Sequence, residues 1–248
     1  MNKFQAALKE RRAVKAIAGI ANFDIENVAQ VARAAQQSGA DALDVAARKD
    51  VVAAAKQNAP DVFLFASSVK PEELLVAVEA GVDGVELGNF DALYKEGLFY
   101  SYDDVLKLAT ETVELIGNKA LVSITVPGHL STDAQLQLLK ELEALNVDVI
   151  QTEGAIRLFN GNQVQALSAA DKAEVTLHNT RTLVAATRLP VMTASGLDAE
   201  NVSTAFKAGA SAVGIGSAVN QLETEEAMVA VLQNIMEQTG AQKVAAVS

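Results

Sequence analysis

Lys15 stands inside an apolar run, Val14-Lys15-Ala16-Ile17-Ala18-Gly19. Lysine is rarely buried without a partner. Asp44 and Glu86, each inside a later apolar run, can supply one. Two readings follow. The group fills the centre of the fold as a buried ion pair. Alternatively, the lysine is tuned as an electrophile, an acid/base or a Schiff-base amine, with the carboxylates setting its state. Glu153 closes the run Ile150-Gln151-Thr152-Glu153-Gly154. A carboxylate partly desolvated at a strand end has a raised pKa and suits a general base. Its structural alternative is a loop cap or a pair with Arg157. Lys15, Glu86 and Glu153 are therefore the catalytic candidates.

A second group of residues suits an anion. Val191-Met192-Thr193-Ala194-Ser195-Gly196 is an apolar run ending in Ser-Gly, and Ala212-Val213-Gly214-Ile215-Gly216-Ser217 is one ending in Gly-Ser. Glycine lets an oxygen anion approach the backbone, and a starting helix points free N–H groups at it. Ser195, Gly196, Gly216 and Ser217 are the expected phosphate-binding residues. Asp44, Asn89, Thr125 and Thr193, at or near strand ends, are the expected substrate contacts. A threonine hydroxyl in such a place more commonly bonds only to backbone. His129 reads as an exposed loop histidine, and His178 as an outward helical one.

Asn22-Phe23-Asp24 and Asn89-Phe90-Asp91 repeat one tripeptide. An Asx-type turn, an apolar anchor and a helix cap account for the first. The second opens a long segment holding Tyr94, Phe99, Tyr100 and Tyr102, which reads as a partial lid.

These residues need elements to position them. Strand patterns fall at Val14–Gly19, Ala42–Ala46, Val62–Ala66, Gly84–Leu87, Leu121–Val126, Val149–Thr152, Val191–Ala194 and Ala212–Ile215. Helical patterns follow at Ile25–Ser38, Asp50–Asn58, Pro71–Ala80, Tyr102–Ile116, Thr132–Leu145, Ala173–Thr187, Ala199–Ala208 and Thr224–Gln238, with an amphipathic helix before them, from Met1 to Arg12. Regular βα alternation demands a parallel sheet, and eight units close it into a (β/α)8 TIM barrel, one domain over residues 1–248. The last two strand-to-helix turns of such a barrel commonly hold a phosphate.

A repeat marks the entry to alternate strands: Gly39-Ala40-Asp41, Gly81-Val82-Asp83, Asn146-Val147-Asp148 and Gly209-Ala210-Ser211. Period-two alternation from these points puts Asp44, Glu86, Gln151 and Gly214 on one interior level. Ala46, Gly88, Glu153 and Gly216 fall one level nearer the mouth.

Composition limits the function classes. The chain has no cysteine, which excludes thiolate catalysis, and its two histidines make a zinc site improbable. No metal is expected. A net charge of −11 argues against nucleic acid and anionic membranes as partners. Arg48, Lys49, Lys70, Lys95 and Arg157 follow strands and would line a basic mouth on an acidic body. There is no secretory signal pattern and no apolar run long enough to span a bilayer. A cytoplasmic protein is expected, with homo-oligomerisation left open.

Four stretches together carry a family likeness: Lys15-Ala16-Ile17-Ala18-Gly19-Ile20 with Asn22-Phe23, Val85-Glu86-Leu87-Gly88-Asn89-Phe90, Val149-Ile150-Gln151-Thr152-Glu153-Gly154 and Ala194-Ser195-Gly196-Leu197. The chain resembles the ycf twenty-three family, hypothetical chloroplast reading frames of algal plastids and cyanobacteria. The resemblance implies an aldolase-type barrel and a photosynthetic source, with the plastid stroma as location in an alga. It implies no activity. The residues themselves leave three functions: a lyase or isomerase of a small phosphorylated metabolite, assisted by Lys15; an oxidoreductase using flavin mononucleotide (FMN) held at the same turns; and a non-catalytic sensor of a phosphorylated metabolite.

Overall fold

The computed structural model describes residues 2–154, 157–159, 163–165 and 168–245. In chain order its elements are α1 (Lys3–Lys9), β1 (Ala13–Gly19), α2 (Ile25–Ser38), β2 (Ala42–Ala46), α3 (Lys49–Asn58), β3 (Phe63–Ser68), α4 (Pro71–Glu79) and β4 (Gly84–Leu87). Two 3-10 turns, Phe90–Ala92 and Tyr94–Glu96, lead to α5 (Tyr102–Ile116), β5 (Leu121–Val126), α6 (Thr132–Ala144) and β6 (Val149–Thr152). A two-stranded antiparallel sheet of β7 (Arg157–Phe159) and β8 (Gln163–Gln165) precedes α7 (Ala169–Ala186). The chain closes with β9 (Val191–Ala194), α8 (Val202–Lys207), β10 (Ala212–Ile215), α9 (Ser217–Asn220) and α10 (Glu225–Ala245).

The strands β1-β10-β9-β6-β5-β4-β3-β2 form a closed parallel barrel of eight. This is the (β/α)8 architecture that the alternation demands. The β7–β8 hairpin is an addition that the sequence pattern does not announce. Among the described residues, no helix is long and apolar enough to cross a membrane.

The repeat at the strand entries has a physical cause. The carboxylates of Asp41, Asp83 and Asp148 accept from the N–H of Val14, Leu64 and Val122 at 3.0, 2.9 and 2.8 Å. Each aspartate N–H in turn donates to the carbonyl of that same residue. The paired bonds lock the strand entering with the repeat onto its neighbour and satisfy amides that start a ladder. Ser211 takes the fourth position and keeps only the backbone half, donating to Val191 O at 2.8 Å.

The barrel carries two apolar layers. Branched residues such as Val45, Val85, Ile150 and Val213 point outward and pack under the helices. The bottom of the interior is plugged separately. Phe4 of α1 is fully buried against Phe63 and Phe65, with ring centroids 4.9 and 5.3 Å away. Burying such a ring contributes about 1.5–3 kcal/mol. Closing the bottom with α1 leaves the polar interior open only toward the carboxyl ends of the strands.

Two boundary differences matter for the site. β3 runs on to Ser68, two residues past the sequence expectation, which turns the Ser67 hydroxyl inward. α7 starts at Ala169 rather than Ala173, because Ser168 caps it by accepting from Asp171 N. That places Lys172 on the first turn, facing the mouth.

Candidate active site

The floor of the site is a buried polar network. Lys15 Nζ donates to Glu86 Oε2 at 2.5 Å and to Gln151 Oε1 at 2.9 Å, and all three side chains are buried. The Lys15 ammonium also lies 5.1 Å from the Phe65 ring centroid. Gln151 Nε2 donates to Glu86, to Asn89 Oδ1 at 3.1 Å and to Thr125 Oγ1 at 3.2 Å. Asn89 Nδ2 donates onward to Asp44 Oδ2 at 3.2 Å and to Ser67 Oγ at 3.1 Å, while Ser67 donates to Asp44. Burial raises the Asp44 carboxyl to about 7; Lys15 opposes the rise and Glu86 adds to it. A buried charge needs both a partner and hydrogen bonds, and here one cation serves two carboxyl groups. The structure thus joins Lys15, Glu86, Asp44, Asn89 and Thr125 into one connected set.

Asn89 reaches this network because its backbone is left-handed, with φ 59°. Gly88 precedes it for a steric reason: a Cβ there would come within 1.9 Å of Thr125 Oγ1.

Above the floor lies a cleft of about 400 Å³. Glu153, Gln151 and Asn89 form its base, and Ser195, Gly196, Gly216 and Ser217 line its wall. The two small-residue turns therefore face one space. Ser195 and Gly196 take φ of 83° and 74°. Gly196 is excluded from bearing a side chain by α7, since a Cβ would meet Ala169 O at 2.7 Å. Among the described residues, the N–H groups of Gly196 and Gly216, which lie between elements, donate to no backbone acceptor.

Glu153 is buried at the edge of this space. Its carboxylate accepts from the Tyr94 hydroxyl, from Gly128 N at 3.2 Å and from Asp91 N at 3.1 Å. Burial pushes it well above the ordinary carboxylate range, and the Asp91 charge adds to the rise. The Tyr94 hydroxyl is also 2.9 Å from His129 Nδ1. His129 is half-buried, edge-on to Tyr94 and Phe99, rather than an exposed loop residue. Burial lowers its pKa, against a hydrogen bond to the Tyr100 backbone. A carboxyl, a phenol and an imidazole thus run from the cleft floor to the rim.

Several expectations change. Thr193 is turned out of the interior: its hydroxyl lies 2.9 Å from Thr180 Oγ1 on α7, since alternate residues of a strand face opposite sides. Lys15 lies beneath the cleft, under Gln151 and Glu86, and does not line it. A flavin held at the two turns would therefore not meet Lys15. Phe23 is no buried anchor; it is 50 % exposed, with the Arg48 guanidinium 4.5 Å from its ring centroid. Asp24 does cap α2, accepting from Glu26 N and Asn27 N. Of the expected mouth cations, Arg48 pairs with Asp50 and Lys70 with Glu73, while the side chains of Lys95 and Arg157 lie outside the described residues. His178 is exposed on α7.

Three contributors escaped sequence reading. Tyr94 looked like one aromatic among several in a lid. Asp91 is read from sequence only as part of the segment that opens the lid. Lys172 fell outside the helix as drawn. The Asn-Phe-Asp repeat was the available signal for Asp91, because only its second copy sits directly at a strand end.

Eight βα units closed into a ring, with polar side chains gathered at the carboxyl ends of the strands, define an aldolase-type (β/α)8 barrel. Within that class the chain belongs to the family described as "Protein of unknown function (DUF561)", whose profile matches residues 1–245. It is 37 % identical over 237 residues to the uncharacterized protein ycf23 of Cyanophora paradoxa, covering 94 % of this chain and 95 % of that one. Among solved structures it is similar in fold to 3-hexulose-6-phosphate synthase from Salmonella typhimurium. That match has a TM-score of 0.65 at 12 % identity and covers 92 % of this chain and 99 % of that one. It is also similar to thiamine phosphate pyrophosphorylase from Pyrococcus furiosus, with a TM-score of 0.59 at 18 % identity, covering 94 % and 98 %.

Proposed function

We propose that the protein is an enzyme that moves a proton on a small phosphorylated metabolite, as an isomerase or lyase, with Glu153 as the acid/base. The observation that carries this reading is the place of Glu153. Its carboxyl is buried in the base of the same cleft whose wall is made by the Ser195–Gly196 and Gly216–Ser217 turns. A phosphate seated on those turns puts the attached carbon skeleton over Glu153. A carboxyl raised above its ordinary range by burial holds a proton more readily and is a stronger base when ionised, as an acid/base requires. Fold likeness to enzymes whose names carry a phosphate supports the choice of ligand and nothing finer.

Lys15 takes a positioning role in this reading. Its ammonium, held by Glu86, fixes the Gln151 amide from below. An imine at Lys15 would require the ion pair to break and Gln151 to move aside, so borohydride trapping should yield no adduct. Tyr94 carries the proton between Glu153 and His129, which meets solvent at the rim.

The test is proton exchange. Phosphorylated aldoses and ketoses are incubated with the protein in deuterium oxide and followed by NMR. Wild-type protein should wash deuterium into the carbon next to the carbonyl, and Glu153→Gln should abolish it. Ligand-induced stabilisation without exchange for any bound compound would instead identify a sensor.

A further inference from the structure

We propose that the Asp91 carboxylate is an internal stand-in for the substrate phosphate, occupying the Ser195 hydroxyl and the Lys172 ammonium until a phosphate dianion displaces it. The inference rests on the phosphate reading above and adds the cation and the displaced group.

Ser195 Oγ donates to Asp91 Oδ2 at 2.8 Å. Lys172 Nζ lies 3.7 Å from the same oxygen. Both side chains are accessible from the cleft, Lys172 at 24 % and Asp91 at 21 %. Among the described residues, Lys172 is the one cation that lines this cleft. It stands on the first turn of the 18-residue helix α7, where the helix dipole also favours an anion. An anion seat made of a serine hydroxyl, a lysine and a helix start is therefore present, and a carboxylate of the chain itself sits in it.

The contact is built to be exchanged. An unstrained ammonium–carboxylate bond is about 2.7–2.9 Å long. The Lys172–Asp91 separation is well beyond that. The backbone of Asp91 is fixed separately, because its N–H donates to Glu153 Oε2 at 3.1 Å and the preceding Phe90 is fully buried. Release of the carboxylate needs only side-chain rotation, with the segment after β4 left in place. A phosphate dianion brings more charge and a third oxygen, so it makes stronger charge-assisted bonds to the same groups. It also has oxygens to offer to the Gly196 and Gly216 amides, which face the same cleft and which Asp91 leaves unused.

The experiment is calorimetric titration of inorganic phosphate into wild-type protein, Asp91→Asn, Asp91→Ala and Lys172→Met, with circular dichroism confirming that each is folded. Removing the competing carboxylate should tighten phosphate binding about tenfold in both Asp91 variants, a change of about 1.4 kcal/mol. Lys172→Met should weaken it at least as much. Equal or weaker binding by both folded Asp91 variants overturns the inference and leaves the phosphate reading standing. Binding that Lys172→Met leaves unchanged also overturns it. No phosphate binding by any of the four proteins overturns both readings together.

Discussion

The Tyr94 hydroxyl donates to the Glu153 carboxylate although the two residues are 59 positions apart in the chain. On its other side the same oxygen meets His129 Nδ1 at 2.9 Å. When Glu153 is ionised, the phenol gives its proton to the carboxylate, and the Nδ1–H tautomer of His129 can donate to the phenol oxygen. When Glu153 is protonated, both bonds can reverse. In the function proposed above, this arrangement is the path by which a proton leaves the buried Glu153.

Replacing Tyr94 tests that path. Tyr94→Phe keeps the ring stacked on Phe99, at 5.1 Å between centroids, and deletes only the hydroxyl. The buried Glu153 loses one of its donors, so stability should fall by about 1–3 kcal/mol in chemical denaturation. Deuterium exchange should slow roughly 10²-fold, in the range of a lost acid/base contribution. Exchange at the wild-type rate in a folded Tyr94→Phe protein would remove the relay from the mechanism.

The buried ion pair should behave as a unit. Lys15→Met leaves Glu86 without its cation, and Glu86→Gln leaves Lys15 without its carboxylate. Each single change should cost about 3–5 kcal/mol, and the double variant should recover much of that loss. A thermodynamic double-mutant cycle measures the coupling. Additive losses would mean that Gln151 and Phe65, rather than Glu86, hold the lysine.

Asp44 makes stability depend on pH with a definite sign. Its folded value of about 7 lies above the 3.8 of a free side chain. The folded protein therefore binds the proton more tightly, and the stabilisation is complete below about pH 4. It is lost as pH rises through 7, after which the curve flattens. The full effect is at most about 4 kcal/mol, since a tenfold change in proton affinity is worth about 1.4 kcal/mol. Urea denaturation between pH 5 and pH 8 should show a decline in wild-type protein that is smaller in Asp44→Asn. Identical slopes would place the titration elsewhere.

Gly88→Ala is predicted to be among the costliest small substitutions. The added carbon would overlap Thr125 Oγ1, which accepts from Asn89 N and Gln151. Relief requires moving a barrel strand or a network residue, so a loss of about 3 kcal/mol or more is expected. A melting temperature within a degree or two of wild type would show that Thr125 can rotate away freely.

Much of the barrel was legible from pattern alone. Alternating periods of two and 3.6 give the units, period two puts Asp44, Glu86 and Gln151 on one interior level, and the apolar run around Lys15 makes a buried cation that one of those carboxylates can partner. Helix starts were less legible. Ser168 caps α7 earlier than the apolar pattern begins, and the four-residue difference hid Lys172. Thr193 was misread for a related reason: a strand end alone does not say which of two successive residues faces in. The β7–β8 hairpin left no periodic trace, because its strands are three residues each.

The order of residues by itself determined the class of fold, the burial of a charged centre and the two glycine-bearing turns, since each follows from local periodicity, size or backbone freedom. Only the tertiary structure decided the partnerships: Glu153 with Tyr94 and His129, Asp91 with Ser195 and Lys172, and Lys15 beneath the cleft rather than in it. Those contacts join distant strands and loops through the closure and stagger of the barrel. Spacing along the chain carries no distance across a ring.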